Sequence, residues 1–143
     1  MKFTLVIDKS KEEEVSIVCH EKRDIFEQIE KLVTNENESL TGYENENIVL
    51  INFNEVSCFI SSDNNVYALV DNHKYKIKKR LYQIEEMLDL NYIKINQSCI
   101  ANIKQIKQFK ASFNGFLEVI FKNGYKDFVS RRELKNVKER IGL

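Results

Sequence analysis

The chain has 143 residues, three cysteines and a formal net charge of zero. That length suits one well-buried core with a small appended unit, and no window approaches the ~18 uninterrupted apolar residues of a membrane span. The first residues lead straight into an alternating pattern without the apolar core of a signal peptide, so a cytoplasmic protein is expected. Cys19, Cys58 and Cys99 are widely spaced with no CxxC pair, which favours reduced thiols over a disulfide framework or a zinc site.

In chain order, Phe3, Leu5 and Ile7 alternate, as do Val15, Ile17 and Cys19, and both segments predict short strands. Ile25, Phe26, Ile29, Leu32 and Val33 fall on one helical stripe. The polar, acidic stretch 34–47, which contains Gly42, is expected to be a linker or loop, with a domain boundary near Ser39. Segments 47–53 and 55–61 follow as strands, then a turn at 61–65 whose Asp and Asn residues tolerate left-handed backbone angles. Strands at 66–70 and 74–78 meet at Asp71-Asn72, and Leu81, Ile84 and Leu88 make a short amphipathic helix. Segment 92–95 is again a strand. Ser98 is expected to cap a brief helical piece carrying Ile100, Ile103 and Ile106 on one side. Asn114-Gly115 and Asn123-Gly124 are strong hairpin signals. A last helix over 131–141 turns Leu134, Val137 and Ile141 inward. Ser130 and Glu133 fit a capping box at its start, which would put Arg131 and Arg132 in the first helical turn. There the macrodipole disfavours cations but favours a phosphate.

Zero net charge hides a polarity. Residues 1–60 carry 6 basic and 13 acidic side chains, a net of −7, whereas residues 61–143 carry 16 and 9, a net of +7. Such asymmetry suits a chain whose basic end meets a polyanion; attraction between the halves, or between copies, is the alternative. Chemistry of other kinds finds little footing. His20 and His73 lie at no metal-ligand spacing, no phosphate-cradling glycine motif occurs, and no nucleophile and base converge. No enzyme activity, cofactor, metal or small-molecule substrate is expected.

Lys74, Lys76 and Lys78 alternate along one strand, where they serve either as phosphate contacts or as protection of a sheet edge. Asn96-Gln97-Ser98 differs in kind, because an uncharged amide can pair with a base edge, best with adenine. Asn102 lies among apolar residues and is expected to satisfy backbone groups. Cys99 is expected to be buried as a small hydrophobe, not poised as a redox switch.

Residues 91–132 carry Tyr92-Ile93-Lys94, Asn96-Gln97-Ser98, Ile100-Ala101-Asn102, Ile106, Asn123-Gly124 and Val129-Ser130-Arg131-Arg132. In that order they resemble the signature half of the LytTR family of bacterial DNA-binding domains. The resemblance runs from about Gly42 to Leu143. It implies a mainly β fold with short helices (α+β), an elongated stack of small antiparallel sheets. It also implies a sequence-specific double-stranded DNA-binding regulator that reads the major groove through loops. Three sites follow from it: the hairpin loop 62–65, with Asn64 and Asn65; the polar pair Asn96 and Gln97 before Ser98; and Arg132 with Arg131 beside it. Lys94 stands where the family pattern often has Arg, and with Lys78 it is expected to meet phosphates. Residues 1–40 resemble the β-β-α leader of stand-alone LytTR regulators, which lack a receiver domain and often accompany a small membrane protein. The expectation is therefore two units. Residues 1–40 form a β-β-α element for dimerisation or regulation, and 41–143 a DNA-binding domain acting as a homodimer. A non-enzymatic interaction module with charge-driven self-association is the competing reading.

Overall fold

Runs of Ile, Val and Phe separated by Asn, Asp and Gly pairs give strands joined by tight turns, and this pattern dominates from Ser39 onward. The computed structural model describes residues 2–34, 39–112 and 114–143. After helix α1 (Asp24–Thr34) come β1 (Ser39–Glu44), β2 (Asn47–Asn52), β3 (Cys58–Ser62), β4 (Asn65–Val70) and β5 (His73–Ile77). Helix α2 (Leu81–Met87) precedes β6 (Tyr92–Asn96), β7 (Cys99–Asn102), β8 (Ile106–Ala111), β9 (Leu117–Phe121) and β10 (Lys126–Val129), and α3 (Leu134–Arg140) ends the chain. The fold is mainly β with short helices.

Seven strands form one sheet in the order β2-β1-β5-β4-β3-β7-β6, and three form a second in the order β10-β9-β8. Every pairing is antiparallel. Alternation along these strands sorts side chains to two faces, and each face builds its own core. Leu40, Ile51, Phe59, Val66, Ile77 and Ile100 pack on one side against Ile84 and Leu88 from the α2 segment. On the other, Cys58, Ile93, Ile95 and Cys99 meet Leu117, Val119 and Phe121 of the second sheet and Val137 of α3. The large sheet is thus covered by a helix on one face and, over its β3-β7-β6 half, by a sheet and helix on the other.

Four expectations change. Among the described residues, 2–23 contain no strand; only a turn closes there, Lys11 N–H bonding to the Asp8 carbonyl at 3.3 Å. Alternation makes a strand only where another strand satisfies its backbone groups, and an isolated two-stranded unit is marginal in water. The β-β-α leader is represented by its helix alone. The stretch expected to be a linker is strand β1 from Ser39 onward, while 35–38 lie outside the described residues. Gly42 is there for space: a Cβ would come within 2.8 Å of the Tyr75 Cβ.

Ser98 caps no helix. It lies in the β6–β7 turn, and Cys99–Asn102 is a strand buried throughout, because consecutive apolar residues between two packed layers suit both faces of a sheet. The only helical piece nearby is a 3-10 turn, Ile103–Gln105, capped by Asn102. Finally, α3 begins at Leu134, with Glu133 at its N-cap and no side-chain capping bond. Ser130 contributes its carbonyl to a turn, accepting from Glu133 N–H at 3.1 Å. Arg131 and Arg132 belong to that turn, so the macrodipole argument does not apply to them.

Candidate nucleic-acid interface

Antiparallel register brings the expected contact residues to one end of the large sheet. The β3–β4 connection is a two-residue turn, Asp63-Asn64, with φ of 51° and 63°. Both central residues of this turn type need positive φ, which Asp and Asn tolerate. The β6–β7 turn, Gln97-Ser98, lies beside it, because Ile60 pairs with Cys99 and Ser61 N–H bonds to the Ser98 carbonyl at 2.8 Å. Val66 pairs with Ile77, so Lys78 emerges at the same end. Ser130 N–H bonds to the Ile95 carbonyl at 2.9 Å, which places Arg131 and Arg132 just past β6.

The side chains at this end divide into those engaged in structure and those left free. Asn96 is engaged. Its amide donates to Asp127 Oδ1 at 3.0 Å and to the Phe128 carbonyl at 2.8 Å, and its oxygen accepts from Ser98 N–H at 2.8 Å. It ties the large sheet to β10 and shapes the turn, with both amide hydrogens engaged. Asn65 bends back to donate to the Asp63 carbonyl at 3.2 Å. Asn64, Gln97, Ser98 and Arg132 are exposed, and among the described residues no side-chain hydrogen bond engages them. Arg131 lies over the Phe116 ring at 5.4 Å, and Lys78 over the Tyr43 ring at 4.4 Å. Lys94 is half-buried in β6 opposite Ile100, on the α2 face of the sheet and away from the exposed turn residues. A groove beside α3 adds further cations, with Arg131, Lys135 and Lys138 along Leu134 and Leu143.

Buried, hydrogen-bonded groups surround the site. Burial, helped by Asp127, pushes the Tyr125 phenol well above its ordinary value, so it stays a neutral donor to Asp127 Oδ2 at 3.2 Å. Beneath the turns, the neighbouring Cys58 thiol and burial push Cys99 well up. That is opposite to what a reactive thiolate needs. Among the described residues no cluster of His, Cys, Asp or Glu could hold a metal ion.

Comparison with known proteins decides the family. Residues 46–142 match the model of the LytTr DNA-binding domain. The chain belongs to the LytTR family. An uncharacterized HTH-type transcriptional regulator of Staphylococcus aureus (strain MSSA476) is 33% identical over 146 residues, covering 100% of this chain and 99% of that protein. A second such regulator, from strain NCTC 8325, is 35% identical over 105 residues, 73% of this chain and 71% of its own length. In fold, the LytTr DNA-binding domain of a Bacillus cereus protein superposes with a TM-score of 0.70 at 18% identity, covering 75% of this chain and 99% of that one.

Within the LytTR domain, sequence reasoning overlooked Asp127, whose carboxylate joins Asn96, Tyr125 and its own strand. Its signal was present, since a lone acid in a strand two residues after a Tyr can bond to it on the same face. Asn102 behaves as expected. It is 1% exposed, donates to the Val56 carbonyl at 2.9 Å and accepts from Lys104 N–H at 3.1 Å.

Proposed function

We propose that this protein is a transcriptional regulator that binds double-stranded DNA sequence-specifically, reading the major groove through turns instead of a recognition helix. One observation carries the reading: two tight turns are bonded side by side at the end of the sheet where Arg131, Arg132 and Lys78 also emerge, and their outward polar groups are unspent. In it, Gln97 offers an amide to a base, Arg132 a guanidinium to a base edge, and Asn64 and Ser98 hydrogen-bonding groups at the turn tips. Arg131 and Lys78 supply phosphate contacts that set register. Asn65 and Asn96 shape the turns that carry the readers.

Helix geometry argues for the same mode. Among the described residues α1 and α2 are separated by five strands, as are α2 and α3, so no two helices follow one another in the chain as a helix-turn-helix requires. Residues 1–40 self-associate to make a homodimer, in this reading, and any regulating membrane partner acts through them. A reader of promoter DNA works in the cytoplasm of a bacterial cell.

The test is a mobility-shift titration with DNA from upstream of the protein's own gene against random DNA of equal length. Preference for the promoter fragment in moderate salt is expected. Equal affinity for both, lost together as salt rises, would reduce the interaction to nonspecific attraction.

A further inference from the structure

The large sheet has two edges that are treated differently. At the β6 edge, Ser130 N–H, just past β10, donates to the Ile95 carbonyl, and the Asn96 amide donates to the Phe128 carbonyl. The β2 edge has no such cover: among the described residues β2 pairs with β1 and with nothing else. Its sequence, Asn-Ile-Val-Leu-Ile-Asn, holds no charge and no proline. A free edge of that composition invites another strand, and proteins ordinarily blunt it with Lys, Pro or a bulge. Ile48 and Leu50 are 69% and 73% exposed. Register puts them on the same face as Tyr43 and Lys76, and the core shared with the second sheet includes no residue of β1, β2 or β5.

The same chain carries an unused complement. Phe3, Leu5 and Ile7 and then Val15, Ile17 and Cys19 keep strand alternation on either side of the closed turn at Asp8 and Lys11, yet pair with nothing among the described residues. Seven large apolar side chains of residues 3–18 are exposed, with Ile25, Leu32 and Val33 of α1 beyond them. At roughly 60–120 Å² apiece the seven present about half to all of the ~800 Å² per partner of a standard interface. Glu12, Glu13 and Glu14 precede the second alternating segment, and Lys74 and Lys76 lie exposed on the open face beside Tyr43, so charge matches as well as pattern.

We infer that the N-terminal arm of a second copy adds as a strand to the β2 edge, and that two copies exchange arms reciprocally. Each copy has one arm and one open edge, so a two-fold exchange fills both and leaves neither exposed. Main-chain bonds to β2 supply attachment, and the apolar side chains of the arm extend the Ile48 and Leu50 face. This rests on the homodimer proposed above and specifies its interface.

Sedimentation of the full chain at tens of micromolar tests it. A dimer is expected, and Leu50→Glu or Ile17→Glu alone should each give monomer with thermal midpoint little changed, since both positions are exposed. If the dimer survives both substitutions, the exchange is wrong while the homodimer stands. A monomeric wild-type chain overturns both. Cross-linking assigns the strand: a chain bearing Leu50→Cys and Cys19→Ser is mixed with wild-type chain and treated with a short bismaleimide. Linkage between the two species is expected. Linkage of the variant to itself means that β2 pairs with β2, and linkage confined within a single chain bearing Leu50→Cys together with native Cys19 means that each arm covers its own edge; either overturns the exchange.

Discussion

Asn96 and Gln97 are adjacent and chemically alike, and the structure assigns them opposite consequences. Asn96→Ala removes two donated bonds and one accepted bond, at 3.0, 2.8 and 2.8 Å. A typical hydrogen bond contributes about 0.5–1.5 kcal/mol net, and Asn96 is half-exposed, so water recovers part of the loss. A destabilisation of about 2 kcal/mol follows, which for a domain of this size lowers the thermal midpoint by roughly 10 °C. Gln97→Ala removes no such bond, and its midpoint should move by less than about 2 °C, as for most exposed positions. On DNA the order reverses. Gln97→Ala should lose about 1–3 kcal/mol of discrimination at one operator position if its amide pairs with a base, with affinity for random DNA unchanged. Thermal denaturation followed by circular dichroism, with competition binding on operator variants, reads both halves. A Gln97→Ala protein that melts as low as Asn96→Ala, or an Asn96→Ala protein of native stability, would refute the division of labour.

Arg132→Ala should abolish the preference for promoter DNA and leave the thermal midpoint unchanged; normal operator binding in moderate salt would show that the proposed face is wrong. Asn102→Ala strands the buried Val56 carbonyl and removes the cap on the 3-10 turn, so a loss of about 2–4 kcal/mol is expected in denaturant titration. Native protein treated with a maleimide should be labelled at Cys19 alone, because Cys58 and Cys99 are buried; labelling of Cys99 that changes DNA binding would revive a thiol switch. Gly42→Ala should cost about 1–3 kcal/mol through overpacking against Ile51 and Tyr75, read as a lower midpoint.

Much of the architecture was legible because turn chemistry is local. Asp63-Asn64, Asn114-Gly115 and Asn123-Gly124 announce their hairpins with no help from the rest of the chain, and each is where two strands reverse. The errors share one physical origin, which is that periodicity does not say whether a partner exists. Val15, Ile17 and Cys19 have the alternation of a strand but no neighbouring edge among the described residues, whereas Ser39–Glu44 looks like a loop and is held as a strand by β2 and β5. Cys99–Asn102 is apolar enough for either element, and only the layers on both sides decide for a strand.

The candidate site shows the same limit at the level of single residues. A polar side chain in a turn announces a capacity for hydrogen bonding, yet not whether the fold has already used it. Asn96 and Gln97 are indistinguishable on that score until Asp127 and the Phe128 carbonyl, thirty-one and thirty-two residues away, are seen against Asn96. The consequence is mechanistic. Asn96 fixes the angle at which the β6–β7 turn leaves the sheet, and Ser61 fixes that turn against the β3–β4 hairpin. Readers mounted on such braced turns lose little conformational freedom on binding, so more of each contact appears as discrimination between sequences. If the bracing matters in this way, Asn96→Asp, which replaces the donating amide by a carboxylate facing Asp127, should weaken operator preference more than the removal of one phosphate contact such as Lys78→Ala. Salt dependence separates the two: the Lys78 variant should reduce the slope of log K against log salt by about 0.9, while the Asn96 variant should leave the slope intact and lose preference.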